Sequence, residues 1–115
     1  MRHFVTKRYR KKFTVLMKSK SVQLATMVLK QGEQSGEDSH NEHPFAEQWL
    51  VVISGTGTAR VGSRSIKIKA GSVLLIQKRE RHLITATSEK PLVTVNLYAP
   101  PAYSKDGDVL KTVEK

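Results

Sequence analysis

The chain has 115 residues, no cysteine, and 20 lysines and arginines against 10 acids, for a formal net charge of +10. That length suits one domain with one core and not two. Without cysteine there are no disulfides, thiolate nucleophiles or cysteine metal ligands, which suits a reducing compartment such as the cytoplasm.

No apolar run approaches the roughly 20 residues of a membrane span, and the basic start of the chain holds no apolar run of signal-peptide length. A cytoplasmic location without a membrane partner is therefore expected. Residues 1–21 form a basic arm or strand joining the main body, with Arg2, Lys7, Arg8, Arg10, Lys11 and Lys12 and no acid before Glu33. Such an arm attracts polyanions. No nucleic-acid-reading motif accompanies it, so it is read as a solvated terminal strand and nucleic acid is not expected as a partner.

Phe13–Lys18 and Val22–Lys30 are rich in apolar and β-branched residues and read as strands. A polar loop, Gln31–Asn41, follows. Gln48–Ile53 (QWLVVI) is almost continuously apolar, the pattern of a strand buried on both faces. Thr58–Val61 and Arg64–Lys69 meet across Gly62-Ser63, a type II′ hairpin signal. Pairing Val61 with Arg64 places Ala59, Val61, Ile66 and Ile68 on one face and Thr58, Arg60, Ser65, Lys67 and Lys69 on the other. Val73–Gln77 reads as another buried strand, and Lys78–Arg81 as a charged tight connection. His82–Thr87 and Leu92–Tyr98 complete the series, which Pro100-Pro101 ends because proline cannot donate to a ladder. Ala102–Lys115 reads as a surface tail with room for one helical turn. Many short strands at even spacing, with no convincing helical period, predict an all-β sandwich or barrel.

Of the four histidines, His43 and His82 sit at turn-to-strand junctions, where side chains can converge on a barrel mouth, and Gln48 opens the central strand five residues after His43. Glu42 and Glu47 adjoin this set but alternate away from it. Trp49 is assigned to the core or a dimer interface. Tyr98 either offers its hydroxyl to the cavity or caps the barrel bottom.

This arrangement resembles the two motifs of the cupin family. Gln48 lies six residues before Gly55, where the family's ligand Glu sits; His43 matches the second His of its His-x-His pair, and Asn41 falls at the first. The second motif begins at Gly71, carries Gln77 for the usual Pro and Arg79 for the usual Gly, and reaches His82 in register. Gly32-Glu33-Gln34-Ser35-Gly36-Glu37, Glu47-Gln48 and Tyr98-Ala99-Pro100-Pro101 are similar to features of a subgroup of small cupins.

The resemblance implies a cupin-type jelly-roll β-barrel over residues 22–103, a C-terminal tail from 104 to 115, and a homodimer. It also implies a divalent metal, Zn, Fe, Mn, Ni or Cu, held by His43, Gln48 and His82, with His40 and Asn41 in reserve. A +2 ion on neutral ligands favours a small anionic molecule in the barrel. The function then divides between a metal-dependent oxygenase or isomerase and a metal-free binding or sensing module, so whether the protein is an enzyme stays open.

Overall fold

The computed structural model describes residues 1–8, 10–36 and 44–110. It is built almost entirely of strands. They are β1 (Phe13–Lys18), β2 (Gln23–Leu29), β3 (Glu47–Ser54), β4 (Thr56–Val61), β5 (Arg64–Lys69), β6 (Val73–Ile76), β7 (His82–Ala86) and β8 (Leu92–Ala99). The helical content of the described residues is one 3-10 turn, Thr6–Arg8.

Two antiparallel sheets face each other. One has five strands in the order β1-β2-β8-β3-β6, the other three in the order β5-β4-β7. Residues 32–35 extend the smaller sheet beyond β7, through Gly32 N–H to Ala86 O (2.9 Å), Ala86 N–H to Glu33 O (3.0 Å) and Ser35 N–H to Ile84 O (2.8 Å). The all-β jelly-roll reading of the sequence holds.

The β4–β5 hairpin follows its turn chemistry. Val61 pairs with Arg64, Ala59 with Ile66 and Gly57 with Ile68, the register that Gly62-Ser63 predicts. Gly62 has φ of 61° and Ser63 does not share the left-handed region, which is the type II′ form. Gly55 turns the chain from β3 into β4 at φ of 80°. A Cβ there would collide with the Pro91 carbonyl oxygen and lie 2.8 Å from Leu92 Cα, so only glycine fits.

Apolar residues fill one end of the space between the sheets: Met27, Leu29, Leu50, Val52, Ala59, Ile68, Ile84, Ala86 and Leu92. A second cluster at the other end gathers Ala25, Ala46, Tyr98, Ala102 and Tyr103. The polar residues of the interior lie between and beside them, at the end where β3 and β7 begin and β8 finishes.

Two expectations are corrected. β3 and β6 are apolar on both faces but buried on only one. Leu50, Val52 and Ile76 are enclosed, whereas Trp49, Ile53, Val73 and Leu75 are 42%, 49%, 59% and 41% exposed on the outer face of the larger sheet. The chain after Pro101 is also not a surface tail at its start. Ala102 and Tyr103 are buried, Tyr103 bridges to Val109, and no helical turn forms among the described residues to 110. The cause is Gln23, a buried amide whose Nε2 donates to Tyr103 O (2.8 Å). Its Oε1 accepts from the N–H groups of Ala102 (3.1 Å) and Tyr103 (2.9 Å). Nothing local at 102–103 shows this, because the partner is about eighty positions earlier.

Candidate functional site

The polar end of the barrel opens into a cavity of about 240 Å³. Ser35, Gln48, His82, Asn96 and Tyr98 supply its polar wall. Met27, Ile84, Phe13, Tyr103 and Val109 supply the apolar one, and Lys12 stands at its margin. Each polar side chain is placed by strand alternation. Gln48 pairs with Tyr98 across β3 and β8, and Asn96 is two residues before Tyr98, so all three point inward from the larger sheet. His82, opposite Val61 at the start of β7, reaches in from the smaller sheet.

Gln48 and His82 are thus brought to one cavity from opposite sheets, both with little solvent exposure. His40, Asn41 and His43, the remaining residues of the expected ligand set, lie outside the described residues, as does Glu42. Glu47 is turned to the outer face, where its carboxylate accepts from Trp49 Nε1 (3.4 Å). Trp49 belongs to that face and not to the core.

The His82 ring is oriented from behind. Its Nδ1 lies 3.2 Å from the Glu80 carbonyl oxygen. A carbonyl can only accept, so Nδ1 carries a proton, and in the neutral ring Nε2 then holds the lone pair. Metal-ligating histidines have this arrangement, with the second nitrogen fixed by a backbone carbonyl or a carboxylate. Among the described residues, no three His, Cys, Asp or Glu side chains gather closely enough to hold a metal ion. The described donors toward a metal are therefore one imidazole and an amide oxygen, a neutral pair that a further imidazole would complete. His82 and Gln48 line one cavity and are of ligand types that suit a divalent ion, and any third ligand would have to come from outside the described residues.

The sequence reading missed Asn96 and the network around it. Thr94 Oγ1 donates to Asn96 Oδ1 (2.9 Å), and Asn96 Nδ2 donates to Tyr98 Oη (3.2 Å). This run of alternate β8 residues fixes which way the Asn96 amide faces, with oxygen toward Thr94 and nitrogen toward Tyr98. A buried polar ladder of this kind is costly unless satisfied and rigid once it is. The signal available in the sequence was the period of two in Leu92, Thr94, Asn96 and Tyr98. Tyr98 lines the cavity, where its hydroxyl accepts from Asn96, and its ring packs edge-on against Tyr103, with centroids 4.9 Å apart.

The comparisons with known proteins agree with this fold. The cupin domain family matches residues 25–98. A crystal structure of a Bacillus halodurans protein superposes with a TM-score of 0.80 at 28% identity, covering 96% of this chain and 90% of that one. A Klebsiella pneumoniae protein with a double-stranded β-helix domain gives 0.78 at 20% identity, over 100% and 99%. A predicted oxalate decarboxylase from Thermotoga maritima gives 0.63 at 23% identity, over 71% and 69%. No curated protein matches the chain in sequence. Since the family match spans well over half of its length, the chain belongs to the cupin domain family.

Proposed function

We propose that this cupin binds a small anionic molecule at the polar end of its barrel, together with a divalent metal held by His82, Gln48 and His43. The observation that carries the reading is His82, whose Nδ1 is fixed by the Glu80 carbonyl and which shares a cavity with Gln48. Anion preference follows from the wall. Lys12 stands at its margin, and none of its described residues is a carboxylate. A ligand's negative charge would meet a cation and neutral donors, with no like charge to oppose it. The metal would add positive charge and a point of attachment for that anion.

Within the cavity this chain's own residues orient the ligand. The Asn96 amide and Tyr98 hydroxyl present polar groups from β8, while Met27, Ile84 and Phe13 exclude water on the other side. No Asp or Glu lies among the described lining residues to act as general base, so binding is the activity the geometry supports first. Catalysis of the oxygenase or isomerase kind would need a base from the bound metal's surroundings.

One observation favours a second reading. The Thr94–Asn96–Tyr98 ladder gives the cavity a polar wall that needs no metal. A metal-free barrel could hold a small polar ligand with these groups and serve as a binding or sensing module in the cytoplasm. Elemental analysis of protein purified without an affinity tag separates the two. Near-stoichiometric metal that disappears in His82→Ala supports the metal site, and metal-free protein whose stability ignores chelator supports the second reading.

The outer face of the larger sheet supports a homodimer. Trp49, Ile53, Val73 and Leu75 form a continuous apolar surface on β3 and β6, and a lone chain would expose it to water.

A further inference from the structure

The smaller sheet has a polar outer face whose composition differs sharply from that of the larger sheet. Strand pairing sets it out in three rows. Lys67 stands opposite Thr58, Thr58 opposite Thr85, and Thr85 opposite Gln34. Lys69 stands opposite Thr56, whose hydroxyl lies 3.1 Å from that of Thr87. Ser65 stands opposite Arg60, and Arg60 opposite Leu83. Arg60, Lys67 and Lys69 are exposed, and no carboxylate occupies any of these positions. Thr56, Thr58, Lys67, Lys69 and Thr87 border one open groove.

We propose that this outer face of β4, β5 and β7 is a sequence-independent docking surface for the phosphodiester backbone of nucleic acid. Three cations with hydroxyl and amide donors between them match phosphate oxygens, which take most of their contacts from such groups. Among the described residues, nothing on the face reads bases. It carries no aromatic ring for stacking and no helix or ribbon that projects into a groove. The six-residue strands β4 and β5, at about 3.3 Å per residue, give a face about 20 Å long, which spans about six base pairs.

An acidic membrane is the other polyanion to weigh. Surface-bound proteins of that kind place cations beside apolar side chains that enter the lipid. On this face the cations stand among threonines: the exposed Trp49, Ile53, Val73 and Leu75 belong to the larger sheet, and Ile66 of β5, 39% exposed, shares the opposite face of its strand with Ile68. The basic arm does not extend the cationic face either. Arg2 borders a groove with Val22, Leu24 and Leu97, and Lys7 and Arg10 border one with Val28, Ile53 and Val93, all on the larger sheet.

Fluorescence anisotropy of the full chain with labelled DNA duplexes of about 20 base pairs, in two unrelated sequences and at about 50 mM salt upward, tests the proposal. The expected result is equal affinity for both sequences and a log–log salt slope of about −3, from about 0.9 per neutralised phosphate. Lys67→Glu with Lys69→Glu should weaken binding at least about tenfold. Replacing Arg2, Lys7, Arg8 and Arg10 by serine should change it far less. Both lysines are exposed, so the variant should melt like the parent; if it fails to fold, Lys67→Gln with Lys69→Gln replaces it. The proposal is overturned by absence of binding at low salt, or by undiminished binding in the folded lysine variant. Loss of binding on replacing the arm alone overturns it too, as does tighter binding to phosphatidylserine vesicles than to DNA.

Discussion

Arg79 occupies a backbone position with φ of 64°, the left-handed region. The family pattern has glycine there, so the backbone keeps the conformation that glycine favours while the side chain has changed. An L side chain in that region costs roughly 1–2 kcal/mol, and the greater unfolded-state freedom of glycine offsets part of this. Arg79→Gly should therefore stabilise the protein by about 1 kcal/mol or slightly less, read as a thermal midpoint raised by a few degrees. Asn96 has the opposite character. Its amide links Thr94 to Tyr98 inside the barrel, and removing it takes the acceptor from the buried Thr94 hydroxyl and a donor from Tyr98 Oη. Asn96→Leu, similar in volume, should cost about 1–3 kcal/mol in a denaturant titration and should weaken binding of small carboxylates by NMR titration. A variant as stable as the parent would show the ladder to be dispensable.

At the scale of the element, strand positions were legible, and strand faces were legible in the β4–β5 hairpin but not in β8. Phe13–Lys18, Arg64–Lys69 and the register of the β4–β5 hairpin follow from β-branched runs and one Gly-Ser turn. In β8, however, Val93, Val95 and Leu97 alternate with Thr94, Asn96 and Tyr98, and the usual rule puts the apolar set inside. The structure does the reverse: Thr94, Asn96 and Tyr98 are buried in the barrel and the valines lie on the outer face, only half-buried. Alternation identifies two faces without saying which one looks into a polar cavity. Gln48 and His82 were found because the motif spacing marks them, whereas Asn96 and Gln23 carry no such mark. The same limit hid the closing segment. Gln23 holds Ala102 and Tyr103 by three hydrogen bonds, and Tyr103 packs on Phe13 with ring centroids 4.7 Å apart. Gln23→Leu keeps the volume and deletes those bonds, so it should cost about 2–3 kcal/mol. Amide exchange at residues 102–110 should accelerate ahead of that in β2 and β8. Uniform acceleration would mean that the segment is held by something else.

For the whole molecule, the two sheets present unlike outer surfaces: the larger exposes Trp49, Ile53, Val73 and Leu75, and the smaller exposes Arg60, Lys67 and Lys69 among threonines. The sequence showed that β3 and β6 have two apolar faces, and a single barrel can bury only one of them. The exposed Trp49 and Leu75 give this excess a place. A dimer formed through it would bury on the order of 800 Å² per partner and would run in light scattering at about twice the chain mass of 12.9 kDa. Trp49→Glu with Leu75→Lys should return it to a monomer with the barrel intact, whereas an unchanged dimer would move the interface elsewhere.

The barrel interior is the other whole-molecule feature, apolar at one end and polar at the other, with imidazole and amide meeting at the polar end from separate sheets. Paramagnetic broadening by Mn²⁺ in an NMR titration reads that meeting most directly. The account predicts early, saturable loss of the Gln48 and Asn96 side-chain amide signals and of the His82 ring signals, abolished by His82→Ala. Broadening confined to surface carboxylates, with those signals untouched, would contradict it.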